Sequence, residues 1–215
     1  MKGSYQWLRL FELDRVICFA KESSRKNGSL RVLEFGSGAS TILIHTLIGK
    51  SGHLVSLEEN EQYRKQVLSV AQKVKLKDLS KLSASLQLSQ RVEEFDEEIL
   101  ISRYAQDALY ESPFDLVYID GPTSWIRNSQ HSGVKTLDGL GNLPNADIVR
   151  LGHLPRIILL DARKSTLCYI LNKNFSNNYR ISLASRYSFL WGKVSHPRHF
   201  HTIFVHEGIA SKPKF

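Results

Sequence analysis

Residues 30–41 read Leu30-Arg31-Val32-Leu33-Glu34-Phe35-Gly36-Ser37-Gly38-Ala39-Ser40-Thr41. A short, mostly apolar run enters a Gly-Ser-Gly turn, which predicts a buried strand that stops there. Ser40 and Thr41 precede Leu43, Ile44 and Leu47, a spacing that predicts a helix capped by those hydroxyls and stopped at Gly49. His53-Leu54-Val55-Ser56-Leu57 reads as a second strand, ended by Glu58-Glu59-Asn60. Residues 61–75 follow as a polar helix with Val67, Leu68, Ala71 and Val74 on one face. Strand, glycine turn, helix and strand in this order form a βαβ unit, and such units build parallel sheets.

The alternation returns downstream. Phe114-Asp115-Leu116-Val117-Tyr118-Ile119-Asp120-Gly121-Pro122 predicts a strand apolar on both faces and closed by a strong stop. Arg156-Ile157-Ile158-Leu159-Leu160-Asp161 predicts another, followed by a helix over 165–174. Residues 179–187 and 200–206 alternate as two last strands, and 7–21 read as a helix covering the sheet. Between the clear parts, 83–91 and 99–104 are expected as strands, and the acidic stretch 93–98 as a solvated turn or a helix start. The irregular stretch 123–145 is long for a compact fold, and loops of that length commonly serve function. The whole predicts one Rossmann-like, doubly wound α/β domain over 1–215, with a helical segment at 1–28 and the core at 29–215.

Composition is that of a globular protein, 42% hydrophobic and 23% charged. The net charge of +8 is unevenly placed: residues 1–149 hold 18 basic and 19 acidic side chains, and residues 150–215 hold 11 and 2. The basic last third suits an anionic partner or a solubilising surface. It contains no run of five basic residues and no nucleic-acid motif, which disfavours nucleic acid. Cys18 and Cys168 sit in apolar surroundings and are expected as buried free thiols. No apolar run approaches about 18 residues, and no leader pattern precedes Trp7, so no membrane segment and a cytoplasmic location are expected.

Four features fall where strands end: Gly36–Gly38, Glu58, Asp120 and Asp161. Ligands of open α/β sheets bind beyond the carboxyl ends of the strands, where the strand order reverses. Glycine lets backbone approach a ligand, and the first N–H groups of the following helix point at it. Glu58 lies 22 residues after Gly36, where nucleotide-binding βαβ units place the carboxylate that holds a ribose diol; Glu59 is the alternative.

The stretch from Val32 to Thr41 resembles motif I of the class I S-adenosylmethionine (SAM)-dependent methyltransferase superfamily, in its small Glu-Phe-Gly-Ser-Gly-x-Ser-Thr form. Val55-Ser56-Leu57-Glu58 resembles the family's ribose-binding strand end, and Phe114–Pro122 its fourth-strand motif. The resemblance implies a mostly parallel seven-stranded sheet with an antiparallel C-terminal strand, SAM as cofactor, and methyl transfer to O or N of a small-molecule acceptor. It places Glu34, Gly36, Ser37, Gly38, Ser40 and Thr41 around the methionine side, Glu58 on the ribose and Asp107 toward the adenine. Ser40 departs from the commoner third glycine. An NAD-dependent oxidoreductase would carry a glycine near position 41, where Thr41 stands.

Methyl transfer needs alignment and a route for the leaving proton. Asp120 and Asp161 are the candidate bases, with Asp120 also next to the cofactor, and His131 is a candidate on the acceptor side. A divalent cation between the two aspartates is the lesser reading, because the family's metal-dependent members carry Asn where Ala162 stands. Arg163 would bind an anionic acceptor or pair with Asp161. His196, His199, His201 and His206 fit no zinc spacing and are expected on a polar strand face. Gly36→Val and Glu58→Ala are expected to abolish SAM binding while the fold survives. The rival reading within the superfamily is a degenerate SAM-binding module without catalysis; a nucleic-acid methyltransferase would need one continuous basic face.

Overall fold

A computed structural model describes residues 2–23, 29–106, 113–121, 137, 142–161, 163–183 and 201–209. The residues around Gly36 form the expected unit: strand β1 (Arg31–Phe35), helix α2 (Ala39–Ile48) and strand β2 (His53–Glu58). Helix α1 (Lys2–Ser23) precedes it, and helices α3 (Glu61–Lys73) and α4 (Leu79–Ser85) lead into β3 (Leu86–Leu88). A hairpin of β4 (Arg91–Asp96) and β5 (Ile99–Tyr104) comes next, then β6 (Leu116–Ile119), β7 (Ile157–Asp161), helix α5 (Lys164–Asn172), β8 (Tyr179–Leu183) and β9 (His201–His206).

Seven strands make one sheet in the order β3-β2-β1-β6-β7-β9-β8. Pairing is parallel from β3 through β7, while β9 runs antiparallel to both β7 and β8. This is the doubly wound, mostly parallel sheet with a reversed C-terminal strand that the sequence predicts. Strand order reverses between β1 and β6, so the carboxyl ends of those two strands open a crevice.

Period-two alternation sorts each strand between two cores. Val32, Leu54, Leu116, Tyr118, Ile157, Leu159 and Ile203 pack under Leu13, Val16 and Ile17 of α1 and Ile44 and Ile48 of α2. Leu33, Phe35, Val55, Val117, Ile119, Ile158, Leu160 and Phe204 face the other way, onto Tyr104, Ile148, Ile170 and Tyr179. A smaller cluster ties Val67 and Ala71 of α3 to Leu82 and Leu86.

Three local expectations are corrected. Of the acidic stretch only 97–98 are the expected turn; 93–96 belong to strand β4, where the carboxylates meet cations: Glu93 with Arg91 at 2.7 Å, Glu94 with Arg103 at 2.9 Å and Asp96 with Lys173 at 3.0 Å. Residues 79–85 form α4, which takes 83–85 from the strand expected over 83–91, with Leu82 as its buried anchor. Cys18 and Cys168 are free, as expected, yet Cys18 is exposed and Cys168 half-buried. No helix among the described residues is long and apolar enough to cross a membrane.

Candidate active site

The turn after β1 is held by backbone packed on backbone. Gly36 has φ +90°, and a Cβ placed there would stand 2.5 Å from the amide nitrogen and 2.6 Å from Cα of Gly121. Gly121 has no more room, since its own Cβ would meet Gly36 Cα at 2.5 Å. The ends of β1 and β6 can therefore touch only because both residues are glycine. Asp120 and Gly121 both donate their N–H groups to the Phe35 carbonyl, which fixes the two turns together. The Asn145 side-chain amide donates to the Gly121 carbonyl at 2.8 Å and steadies the turn from the far side.

Glu34 lies beneath this turn, wholly buried, and not on the cavity wall. Ser40 Oγ donates to its Oε1 at 2.6 Å, and Thr41 Oγ1 and Ser56 Oγ donate to Oε2 at 2.6 Å each. Of the two hydroxyls expected to cap α2, Thr41 does so and Ser40 is used otherwise. Gly38 is the capping residue; Ser40 and Thr41 stand in the first turn and bind Glu34, and Thr41 Oγ1 accepts the Gly38 N–H at 2.8 Å. One carboxylate fastens β1 to β2 and to the start of α2. Burial pushes the Glu34 carboxyl up to about 7 despite its three hydroxyl donors.

A cavity of about 310 Å³ opens above, lined by Gly36, Ser37, Glu58, Glu59, Asn60, Tyr63, Tyr104, Asp120 and Gly121. Its volume falls in the range of small-ligand sites. The Glu58 carboxylate is aimed by three donors: Ser37 N–H at 3.1 Å and Ser37 Oγ at 2.8 Å to Oε2, and Asn60 N–H at 2.9 Å to Oε1. A carboxylate offers about four acceptor positions, so one on Oε1 is left for a ligand hydroxyl. Glu59 points to Arg91 at 3.6 Å, and burial raises its carboxyl above the usual range. Tyr104 stacks on Phe35, centroids 5.9 Å apart, and forms a flat inner wall.

At the β6 and β7 ends, Asp120 keeps 41% of its side-chain surface open, whereas Asp161 keeps 4%. Its recessed position, and then the nearby Asp161, hold the Asp120 carboxyl well above the usual aspartate range. Arg163 pairs with Asp120 at 3.5 Å, not with Asp161. Asp161 is taken by Arg9 of α1, at 2.6 Å.

His201 is also displaced from its expected place. It is wholly buried rather than on a polar face, 2.7 Å from Glu12 and 3.4 Å from the Tyr118 hydroxyl. Arg9 and Glu12 carry no signal in the sequence beyond their place in a helix. The candidate residues Asp107 and His131 lie outside the described residues, as do His196, His199 and Ala162. The structure thus brings Gly36, Ser37, Glu58, Glu59 and Asp120 to one cavity. Glu34, Gly38, Ser40 and Thr41 stand behind it. Among the described residues no group of three or more His, Cys, Asp or Glu side chains is placed to share a metal ion.

No family model matches the chain, and no curated protein matches it. Among solved structures it is similar to an O-methyltransferase from Bacillus cereus in complex with S-adenosylhomocysteine (SAH), at 13% identity over 91% of this chain and 80% of that one, TM-score 0.49. It is similar to the O-methyltransferase TomG of Streptomyces achromogenes, involved in tomaymycin synthesis and solved with SAM, at 9% identity over 90% and 78%, TM-score 0.46. A third is the METTL16 methyltransferase domain, at 12% identity over 89% and 79%, TM-score 0.44. The strand order, with its one reversed strand, is that of a Rossmann-like, doubly wound sheet.

Proposed function

We propose that this chain is a SAM-dependent methyltransferase, with its cofactor in the cavity between the β1 and β6 turns and a small-molecule acceptor beside Asp120. One observation carries the reading. Glu58 stands at the end of β2 with three donors fixing its carboxylate and one acceptor position left toward the cavity. That suits a sugar hydroxyl, and a hydroxyl bonded to an ionised carboxylate contributes about 1.5–3 kcal/mol. The Gly36 turn brings bare backbone to the same cavity, where the methionine end of the cofactor would lie. Tyr104 offers an aromatic wall for an apolar or ring face.

When bound, SAM supplies an activated methyl group on a sulfonium sulfur. The chain's part is to align the acceptor and to receive its proton. Asp120 is the candidate base: its side chain reaches the cavity beside Asp161, and a carboxyl held above the usual aspartate range is a stronger proton acceptor once ionised. Arg163, already beside Asp120, would receive an anionic acceptor group only by exchanging that pair for the ligand.

Calorimetry with SAM, SAH and NAD tests the cofactor. SAM and SAH should bind and NAD should not, and Glu58→Ala should weaken SAH at least tenfold, about 1.4 kcal/mol. Binding of NAD alone, or SAH affinity untouched in Glu58→Ala, overturns the assignment. A screen with methyl-labelled SAM separates an enzyme from a SAM-binding module: tight binding with transfer to no acceptor favours the module.

A further inference from the structure

Helix α1 contributes two charged side chains to the end of the sheet that, on the reading above, receives the acceptor. Arg9 and Glu12 are three residues apart in α1 and so share one face. Arg9 Nη1 donates to Asp161 Oδ2 at 2.6 Å, and Glu12 Oε2 lies 2.7 Å from His201 Nδ1. The carboxylate can only accept, so His201 donates from Nδ1, which turns its Nε2 the other way. That nitrogen faces the Tyr118 hydroxyl at 3.4 Å and Asp161 Oδ1 at 3.6 Å. Glu12, His201 and Asp161 are all buried.

Buried charges are kept only where partners offset the loss of water. Arg9 answers for Oδ2 of Asp161. Oδ1 receives no hydrogen bond among the described residues, although it is buried. Asp161 follows Leu160 as Asp120 follows Ile119, two residues paired across β6 and β7, so the carboxyls stand on neighbouring strand ends, and a proton on Asp120 is a donor that could satisfy Oδ1.

We propose that Arg9, Glu12 and His201 are positioning residues of the acceptor end, clamping Asp161 so that it faces Asp120 beside the cavity. Arg9 holds one oxygen directly. Glu12 fixes the ring of His201, and His201 walls in the other oxygen, so the carboxylate cannot turn away from Asp120. The N-terminal helix then belongs to the site as well as to the core. Among the described residues, the other charged or titratable groups near Asp120 are Arg163 before α5, Glu34 in β1, Tyr118 in β6 and Tyr63 in α3. None of them is held by α1 residues except Tyr118, which shares His201.

The test uses the whole chain without cofactor, with ¹⁵N-labelled histidine and ¹³C-carboxyl-labelled aspartate followed by NMR across pH. Wild-type His201 should carry its proton on Nδ1, and Asp120 should titrate well above an ordinary aspartate. Loss of the Arg9 cation alone would raise the Asp120 midpoint, so a fall of about one pH unit in Arg9→Met is expected only where a freed Asp161 swings away and no longer presses its charge on Asp120. Glu12→Gln keeps an oxygen for the Nδ1 proton and should preserve the His201 signal, whereas Glu12→Ala should lose it. A wild-type His201 without a proton on Nδ1 overturns the clamp without any variant. So does an Asp120 midpoint that stays or rises in folded Arg9→Met. SAH affinity of the wild type is measured on the same samples: its absence sinks the proposed function and leaves the clamp standing.

Discussion

At Gly36 a methyl group has nowhere to go, because Gly121 backbone lies 2.5 Å from where it would sit and φ is +90°. The sequence predicts a glycine needed by a ligand; the structure adds a glycine needed by the fold. Gly36→Val is therefore a poor probe of binding, contrary to the expectation that the fold would survive it. Gly36→Ala should already cost about 2 kcal/mol or more in urea unfolding, with Gly121→Ala similar, from clash and backbone strain. An unchanged unfolding midpoint would refute the close packing of the two turns. Glu34 gives a second test at this scale. Its folded carboxyl is raised from 4.5 to about 7, so the fold holds that proton more tightly than the unfolded chain does. The resulting stability is fully present below pH 4.5 and is lost as pH rises through about 7, up to roughly 3 kcal/mol. In Glu34→Gln that slope should vanish, while wild type loses stability across the same window. Parallel slopes for the two proteins would show that Glu34 does not titrate there.

Elements whose partners are close in sequence announce themselves; elements made by distant partners do not. β1, β2, β6 and β7 are apolar on both faces because helices cover both sides of a parallel sheet, and their composition says so directly. Strand β4 carries Glu93, Glu94 and Asp96; Arg91 of the same strand meets Glu93, while Glu94 and Asp96 are met by Arg103, Arg150 and Lys173 from other elements. Nothing local to residues 91–96 reveals those last three cations. Ser40 misleads for a related reason, and Thr41 divides its hydroxyl between cap and carboxylate. They are good capping types, yet a buried carboxylate on the preceding strand competes for their hydroxyls. Helix α4 shows how a short element is held in place. Lys81 Nζ donates to the carbonyls of Gly49, Lys50 and Gly52, closing the turn between α2 and β2. Lys81→Met keeps the aliphatic stem and removes all three bonds, so it should cost about 1 kcal/mol in thermal or urea unfolding. A loss confined to experimental error would mean that water replaces the ammonium at no cost.

Across the whole molecule, the two halves of the candidate site differ in how far their residues lie apart in sequence. Gly36, Ser37 and Glu58 belong to one βαβ unit, so spacing alone predicts that they meet, and they do line one cavity. The proposed acceptor end joins Arg9 to Asp161 and Glu12 to His201, separations of 152 and 189 residues that no local pattern encodes. The same division predicts how the molecule should respond to the cofactor proposed for it. A ligand that binds only the folded state stabilises it by about 2.7 kcal/mol at a hundredfold excess over its Kd, whatever it touches. Local protection is more selective, because amides exchange through openings of their own surroundings. With saturating SAH, hydrogen exchange should slow most at residues 36–38, 58–60 and 120–121, whose backbone forms the cavity or closes it. The β4–β5 hairpin forms a sheet of its own, and of its residues only Tyr104, the last, reaches the cavity. Amides of 91–99 that exchange by local opening should keep their rates, while those that exchange only by global unfolding should slow with the rest. Protection by SAH centred on the hairpin instead of the β1 and β6 turns would move the cofactor away from Glu58, to the larger cavity of about 460 Å³ between Asp96, Arg150 and Tyr169.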